Sequence, residues 1–182
     1  KTRHIGEGAF QNNKSLTTVK IPDSVYNIYE SAFLGCISLE NVDFPAYLGY
    51  IGPSAFKDCE RLTEIDLTSA RNYFTLGDSA FEGCNNLRTV KLPDNLTQIE
   101  NRAFYNTRLE SVTIPQKVYY IGEEAFAQNG YLQSLTFSHT DKSTVQLQIG
   151  DRAFYHCGYF YSDDGNGTNS GFTSVSLPKC LY

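Results

Sequence analysis

A six-residue pattern, Ile, usually Gly, two variable residues, Ala and Phe, recurs seven times along this chain of 182 residues. Its Ala-Phe pair returns after 23, 23, 25, 23, 22 and 28 residues. A self-similarity with a period of about 20 to 50 residues indicates repeated units that stack on one another. The period therefore limits the possible folds more than any other feature. The seven copies begin at Ile5, Ile28, Ile51, Leu76, Ile99, Ile121 and Ile149.

A second segment, Leu-x-x-Val-x-Ile-Pro, lies between the copies and first runs from Leu16 to Pro22. The alternation of Val19, Lys20 and Ile21 is typical of a strand, and the proline after it tends to end that strand. One strand cannot bury its apolar face alone, but parallel strands stacked at about 4.8 Å share an interior. The sequence thus predicts an α/β-type repeat solenoid, mostly β. We expect a right-handed horseshoe or arc with one short parallel strand per repeat of about 23 residues, a short 3₁₀ or irregular back side, and no long helix.

The phenylalanine of each copy is expected to join a buried column of rings that runs through all seven repeats. The preceding alanine is small, which lets neighbouring repeats approach closely. A larger residue at that position should clash. The expected column consists of Phe10, Phe33, Phe56, Phe81, Phe104, Phe126 and Phe154.

Four of the five cysteines share one repeat position, three residues after the phenylalanine. A zinc site would need close ligand pairs, and no histidine accompanies these thiols. Disulfides between adjacent repeats stay open as an alternative. The odd cysteine total and the ladder-like position favour reduced, buried thiols that act as small apolar groups. Cys180 lies outside the column and is expected to be reactive. The column positions are Cys36, Cys59, Cys84 and Cys157.

The run from Cys84 through Leu87, Leu92 and Pro93 to Ile99 resembles the repeat of BspA-like leucine-rich repeat proteins, the treponemal type. The resemblance covers nearly the whole chain. It implies a secreted or cell-surface protein of a host-associated microbe that adheres to a host matrix protein or surface glycoprotein. We expect residues 1–182 to form a single leucine-rich repeat domain of about seven repeats, truncated at both ends and part of a longer array.

Composition argues against several function classes. The formal net charge of −5 and the absence of a basic run disfavour nucleic acid as a partner. No run approaches the roughly 18 to 20 apolar residues of a membrane span, and the start has no apolar signal-peptide core. His4, His139 and His156 are scattered and no nucleophile motif is present, so we expect no enzyme and no cofactor. The acidic run within 158–171 lacks the final glutamate of a calcium loop and predicts a protruding loop.

Binding residues are instead expected on two surfaces. The outward face of the strands carries three acids on adjacent repeats, Asp43, Glu64 and Asp66, flanked by Lys20 and Lys91. Like charges on neighbouring strands are unfavourable, so recognition of a basic protein segment is one interpretation and a solvated polar sheet is the other. Tyrosines after the strand proline form a second candidate edge, either as partner anchors or as covers of the core. They are Tyr26, Tyr50, Tyr73, Tyr119 and Tyr120.

Two function classes follow from these observations. The first is a non-catalytic binding or adhesion module that recognises host or partner-cell macromolecules through the repeat surface. The alternative is a structural spacer that holds other domains away from the cell surface. A flat, extended repeat surface favours contact with a macromolecule over capture of a small metabolite.

Overall fold

A computed structural model describes residues 2–70, 74–138, 146–158 and 172–176. Its strands are short and all of its strand pairs are parallel, so the chain winds as a β-solenoid. No helix occurs among the described residues. The predicted repeat solenoid is confirmed, whereas its handedness and its arc shape stay predictions.

Each repeat contributes two strands, so the expectation of a single strand per repeat is wrong. The first strands of the repeats make up what we call the strand face: β2 (Thr18–Lys20), β4 (Asn41–Asp43), β6 (Glu64–Asp66), β8 (Thr89–Lys91), β10 (Ser111–Ile114), β12 (Ser134–Phe137) and β14 (Ser174–Ser176). The second strands are β1 (His4–Ile5), β3 (Asn27–Ile28), β5 (Tyr50–Ile51), β7 (Thr75–Leu76), β9 (Gln98–Ile99), β11 (Tyr120–Ile121) and β13 (Gln148–Ile149).

The second strands form one continuous seven-stranded sheet, here called the second sheet. Each of its strands has only two residues, and from β3 to β11 the second is a buried isoleucine or leucine. Ile149 of β13 is exposed. Two residues are too few to show the apolar alternation by which strands are recognised in a sequence. The sheet therefore arises from stacking equivalent positions, which a single repeat does not reveal.

The back side of each repeat is a chain of linked turns, which is the irregular alternative of the two that we expected and not a 3₁₀ segment. In the second repeat the N–H groups of Ala32 and Leu34 donate three residues back, to the carbonyls of Tyr29 and Ser31. The alternate N–H groups, such as that of Phe33, donate to the next repeat, with 2.7 Å from Phe33 to the Ala55 carbonyl. A 3₁₀ helix would use consecutive i→i−3 bonds. The alternation joins neighbouring repeats even where the chain is turning.

Two residues of each turn adopt a left-handed conformation, which lets the N–H groups alternate in this way. In the second repeat they are Ser31, with φ of 54°, and Gly35, with φ of 69°. Residues other than glycine are uncommon in this region and strained by it. The turns of the second to sixth repeats are hydrogen-bonded to both neighbouring repeats, which holds these residues in place.

The phenylalanine column is confirmed, with one exception at its first member. Adjacent rings lie 4.9 to 5.6 Å apart between centroids, with planes inclined by 12° or less. The rings from Phe33 to Phe126 are fully buried, and Phe154 is partly buried. Phe10 is 41% exposed because no described repeat covers its outer side.

The four column cysteines are buried and free, which confirms the expected thiol ladder. Each thiol donates to the carbonyl of the phenylalanine one repeat earlier, as Cys84 does to Phe56 at 3.1 Å. Asn129 takes over this role in the sixth repeat and donates to the Phe104 carbonyl at 2.7 Å. In these repeats the position thus supplies a donor that satisfies a buried carbonyl, whereas Thr107 of the fifth repeat donates to the Phe104 carbonyl of its own repeat and to Asn129. Cys180 lies outside the described residues.

A glycine after the second-strand isoleucine allows the repeats to approach each other. A Cβ at Gly77 would lie 2.7 Å from the Pro53 nitrogen, and a Cβ at Gly122 would lie 2.5 Å from the Asn101 nitrogen. Such distances leave no room for a side chain. Tyr29 and Glu100 occupy this position in two repeats, and a glycine stands at the equivalent position on either side of each. Larger residues are tolerated where both neighbours are glycine.

The strand face is interrupted, in contrast to the second sheet. It divides into β2-β4, β6-β8 and β10-β12-β14. We call the two interruptions seams. At the seam between β4 and β6, Asp43 would face Asp66 in register, whereas the paired strands on either side join Lys20 to Asp43 and Asp66 to Lys91. Around this seam the ladder holds where the charges are opposite and opens where acid would face acid. At the other seam, between β8 and β10, Lys91 would face Thr113, so charge repulsion does not account for it.

Candidate functional site

The five strand-face candidates lie together on β2, β4, β6 and β8, and their charges are paired. Lys20 contacts Asp43 at 3.6 Å. Lys91 contacts Glu64 at 2.9 Å and Asp66 at 3.0 Å. The hydroxyl and N–H of Thr68 also bind Asp66, and with Lys91 they lower the pKa of that carboxyl. All three acids thus have a cationic partner, which agrees with the interpretation of a solvated polar sheet, whereas recognition of a basic segment here stays a prediction.

The tyrosine candidates separate into two groups on the second sheet. Tyr26 and Tyr50 belong to the second and third repeats, whereas Tyr119 and Tyr120 belong to the sixth copy of the motif. Thr75 and Gln98 occupy the outward position in the two strands between the groups. The tyrosines therefore do not form one continuous edge. Tyr73 lies outside the described residues.

The first group is larger than the sequence suggested, because Tyr29 joins it. We call Tyr26, Tyr29 and Tyr50, with His4, the tyrosine face. The rings of His4 and Tyr29 lie 5.6 Å apart, and those of Tyr29 and Tyr50 lie 6.2 Å apart at a steep angle. Tyr26 is 41% exposed and Tyr29 is 38% exposed. The signal in the sequence was Tyr29 at a position where glycine is usual.

Polar groups hold the tyrosine face in place. The Asn27 side-chain amide lies 3.2 Å from the His4 ring nitrogen Nδ1 and donates to the Tyr29 hydroxyl at 3.5 Å. Burial raises the pKa of Tyr50, and the nearby Glu30 carboxylate and Tyr29 add to the shift. The rings are thus arranged next to a negative charge.

Sequence reasoning missed a row of ion pairs along the back-side turns. Arg102 binds Glu82 through two nitrogens, at 2.8 and 3.2 Å, and binds Glu124 at 2.7 Å. Lys57 contacts Glu82 from the other side at 3.1 Å. Burial alone would raise the pKa of Glu82, but hydrogen bonds from Arg102, Ser79 and Lys57 outweigh it and lower the pKa to about 2. This row joins four repeats and has a structural role.

The seams of the strand face each carry an open, polar cavity of about 350 Å³. One is lined by Glu40, Arg61 and Asn86, with Arg61 bound to Glu40 at 2.7 Å. The other lies between Lys91 and Thr113. Ligand pockets are mostly apolar with a few placed polar groups, so neither cavity has the character of a small-molecule site.

No three described His, Cys, Asp or Glu residues converge in a way that would hold a metal ion. In the same ranges, no helix has the length and apolar character of a membrane span. The Asp163 and Asp164 run of the expected protruding loop lies outside the described residues, as does most of the 158–171 segment.

Comparison with known proteins agrees with this architecture. The model of a family described as the BspA type leucine-rich repeat region matches six copies, over residues 1–75 and 69–163. A search of curated proteins finds no match. The leucine-rich repeat protein of T. pallidum is 28% identical, with a TM-score of 0.77 over 85% of this chain and 70% of its own.

Two further crystal structures are similar over most of this chain. A leucine-rich cell surface protein from Faecalibacterium prausnitzii is 28% identical, with a TM-score of 0.57 over 98% of this chain. A leucine-rich repeat protein from Bacteroides ovatus is 28% identical, with a TM-score of 0.61 over 86% of this chain. This chain spans only 53% and 45% of those two proteins, respectively.

Proposed function

The chain belongs to the BspA-type leucine-rich repeat family, and we propose that it is a non-catalytic binding module of a bacterial cell-surface protein. The location is supported by the similar F. prausnitzii structure, which is described as a cell surface protein. The ligand of such a module is a macromolecule, because the repeats offer long, shallow surfaces. A host matrix protein or a surface glycoprotein is the partner class that we favour.

The tyrosine face is the observation that carries this proposal. Tyrosines are enriched among residues that dominate binding energy, because a ring supplies a large contact area at a low entropic cost. Here Tyr50 lies in β5, and the well-exposed Tyr26 and Tyr29 flank the neighbouring strand β3. The strand face offers less, since its charged side chains already bind one another.

The test is a binding measurement on immobilised chain against purified extracellular-matrix proteins and mucin. A variant with Tyr26→Ser and Tyr50→Ser should weaken the binding of a positive ligand by about tenfold or more, as expected for loss of interface tyrosines. Tyr119→Ser is the matched control, because Tyr119 is 43% exposed at the repeat position equivalent to Tyr26. Equal effects of both variants would contradict the tyrosine face as the site.

The spacer function is the second candidate, and the continuity of the fold favours it. The second sheet, the turn hydrogen bonds and the phenylalanine column all join each repeat to the next. Such a stack resists bending, so it keeps the domains that it separates at a constant distance. A chain that binds none of the matrix proteins or mucin would leave the spacer as the function.

A further inference from the structure

We infer that the tyrosine face binds an arginine-bearing segment of a partner protein, an inference that rests on the proposed function and specifies its ligand. The occupant follows from two properties of this surface, namely aromatic rings without an arginine over them and carboxylates without a cation. The strand face lacks the second property.

The first argument comes from how the chain treats its other tyrosines. The guanidinium of Arg102 lies 3.7 Å from the ring centroid of Tyr105, and that of Arg108 lies 4.4 Å from Tyr131. Both are cation–π contacts, in which arginine stacks on the electron-rich face of the ring. No described arginine or lysine lies over a ring of the tyrosine face. An arginine of a partner would stack on these rings, as Arg102 and Arg108 stack on tyrosines of the later repeats.

The second argument comes from charge. Glu7 and Glu30 stand in consecutive repeats at the end of the second strands, and both are exposed. Neither forms an ion pair with a described residue, although the Glu30 carboxylate is close enough to Tyr50 to act on its ionisation. Arg3, in the first repeat, is a basic residue near this surface. Its backbone carbonyl accepts a hydrogen bond from the Tyr26 N–H.

The geometry suits an extended segment with more than one contact. The ring centroids of His4, Tyr29 and Tyr50 follow one another at 5.6 and 6.2 Å across three adjacent strands. The rings thus run along the array, Glu30 directly follows Tyr29 in the chain, and Glu7 has the equivalent place one repeat earlier. An arginine fits better than a lysine, because its planar guanidinium stacks on a ring and donates to a carboxylate at the same time.

The experiment titrates the whole chain into three labelled twelve-residue peptides and follows fluorescence anisotropy. One peptide has four arginines in a glycine-serine background, and the others have lysine or glutamine at the same places. We expect the arginine peptide to bind about tenfold more tightly than the glutamine peptide. This difference corresponds to one exposed cation–π contact and one exposed ion pair. Lysine should fall between them, and added salt should weaken arginine binding.

Variants separate the rings from the charge. Tyr29→Leu with Tyr50→Leu keeps an apolar surface but removes the ring electrons, and Glu30→Gln keeps size but removes the charge. Each should weaken arginine binding by about threefold or more. Asp43→Asn on the strand face is the control and should change nothing, because Lys20 already binds that carboxylate.

Two results would overturn the inference. One is equal binding of the arginine and glutamine peptides. The other is a loss with Asp43→Asn as large as that with Glu30→Gln, which would mean attraction by the overall negative charge. If a matrix protein still depended on Tyr26 and Tyr50 in either case, the proposed function would stand and only the partner chemistry would be wrong.

Discussion

The two sheets of this solenoid differ in continuity, and the sheet with the shorter strands is the continuous one. The second sheet is built from strands of two residues and is continuous over seven of them, whereas the strand face has strands of three or four residues and is broken at two seams. What separates them is the column of side chains between repeats. Glycines and alanines allow close approach along the second sheet and the turns, while acids of adjacent repeats oppose each other at one of the two seams of the strand face.

A repeat array is held together by columns of equivalent side chains. One unfavourable pair in a column is enough to interrupt the contact between two repeats. On the continuous side the columns are the phenylalanine rings, the thiols, the glycines and the ion pairs around Arg102. On the interrupted side the charged column pairs well twice and badly once. The following changes test that distinction, from the largest expected effect to the smallest.

Phe81→Ala should break the continuous side most severely. The ring is fully buried and stacked on Phe56 and Phe104, so its removal leaves a cavity that the flanking repeats do not fill. We expect a loss of about 3 to 5 kcal/mol in the free energy of unfolding, measured by denaturant titration. Phe10→Ala is the control and should cost less than half as much, because Phe10 is 41% exposed. Equal losses would mean that the column does not act as a packed stack.

Gly77→Ala should disrupt the second sheet at its centre. The new Cβ would lie 2.7 Å from the Pro53 nitrogen and 2.8 Å from the Gly52 carbonyl carbon, so the backbone must shift. We expect a loss of about 1 to 3 kcal/mol in the same titration. Gly6→Ala meets nothing within 4 Å and should be neutral or slightly stabilising. A neutral Gly77→Ala would show that close approach is not what keeps the sheet continuous.

Glu82→Gln should weaken the back-side ion pairs in a pH-dependent manner. The folded pKa of Glu82 is lowered from an ordinary 4.5 to about 2, so its carboxylate stabilises the fold above pH 4.5 and this contribution disappears as the pH falls from 4.5 towards 2. At pH 7 the variant should lose about 1 to 2 kcal/mol.

The measurement for Glu82→Gln is denaturant unfolding of both proteins between pH 7 and pH 2. The difference between them should narrow through that window and close near its acid end. A difference that is constant with pH would show that the ionised form of Glu82 contributes nothing specific.

Asp43→Asn should have the smallest effect, and its sign is informative. It removes one acid from the seam between β4 and β6, and it also removes an ion pair with Lys20 whose side chains are 66% and 86% exposed. Exposed pairs contribute little, so we expect unchanged or slightly increased stability, within about 0.5 kcal/mol. Amide hydrogen exchange should slow at Val42 and Asp66, whose N–H groups face the seam. A loss above about 1 kcal/mol would show that acid repulsion is not the cause of the seam.

The strand-face candidates show which part of the candidate site depends on the tertiary structure. The order of acids and lysines along the chain was read correctly. The distance from Lys91 to Glu64, however, depends on side-chain geometry across the two neighbouring strands β6 and β8. The tyrosines were likewise found as single residues, whereas their grouping into a face depended on Tyr29, which occupies a glycine position. The repeat spacing in the sequence shows which residues stand in one column. The contacts between those residues depend on how the repeats pack.

The sequence by itself determined the solenoid, the phenylalanine column and the buried thiols, because each follows from a residue type that returns with the repeat period and must be buried at every return. The tertiary structure decided the second strand, the linked turns, the seams and the pairing of charges. These depend on contacts between one repeat and the next, over 20 or more residues. Such contacts are set by the relative positions of two repeats, and no stretch of one repeat contains that information.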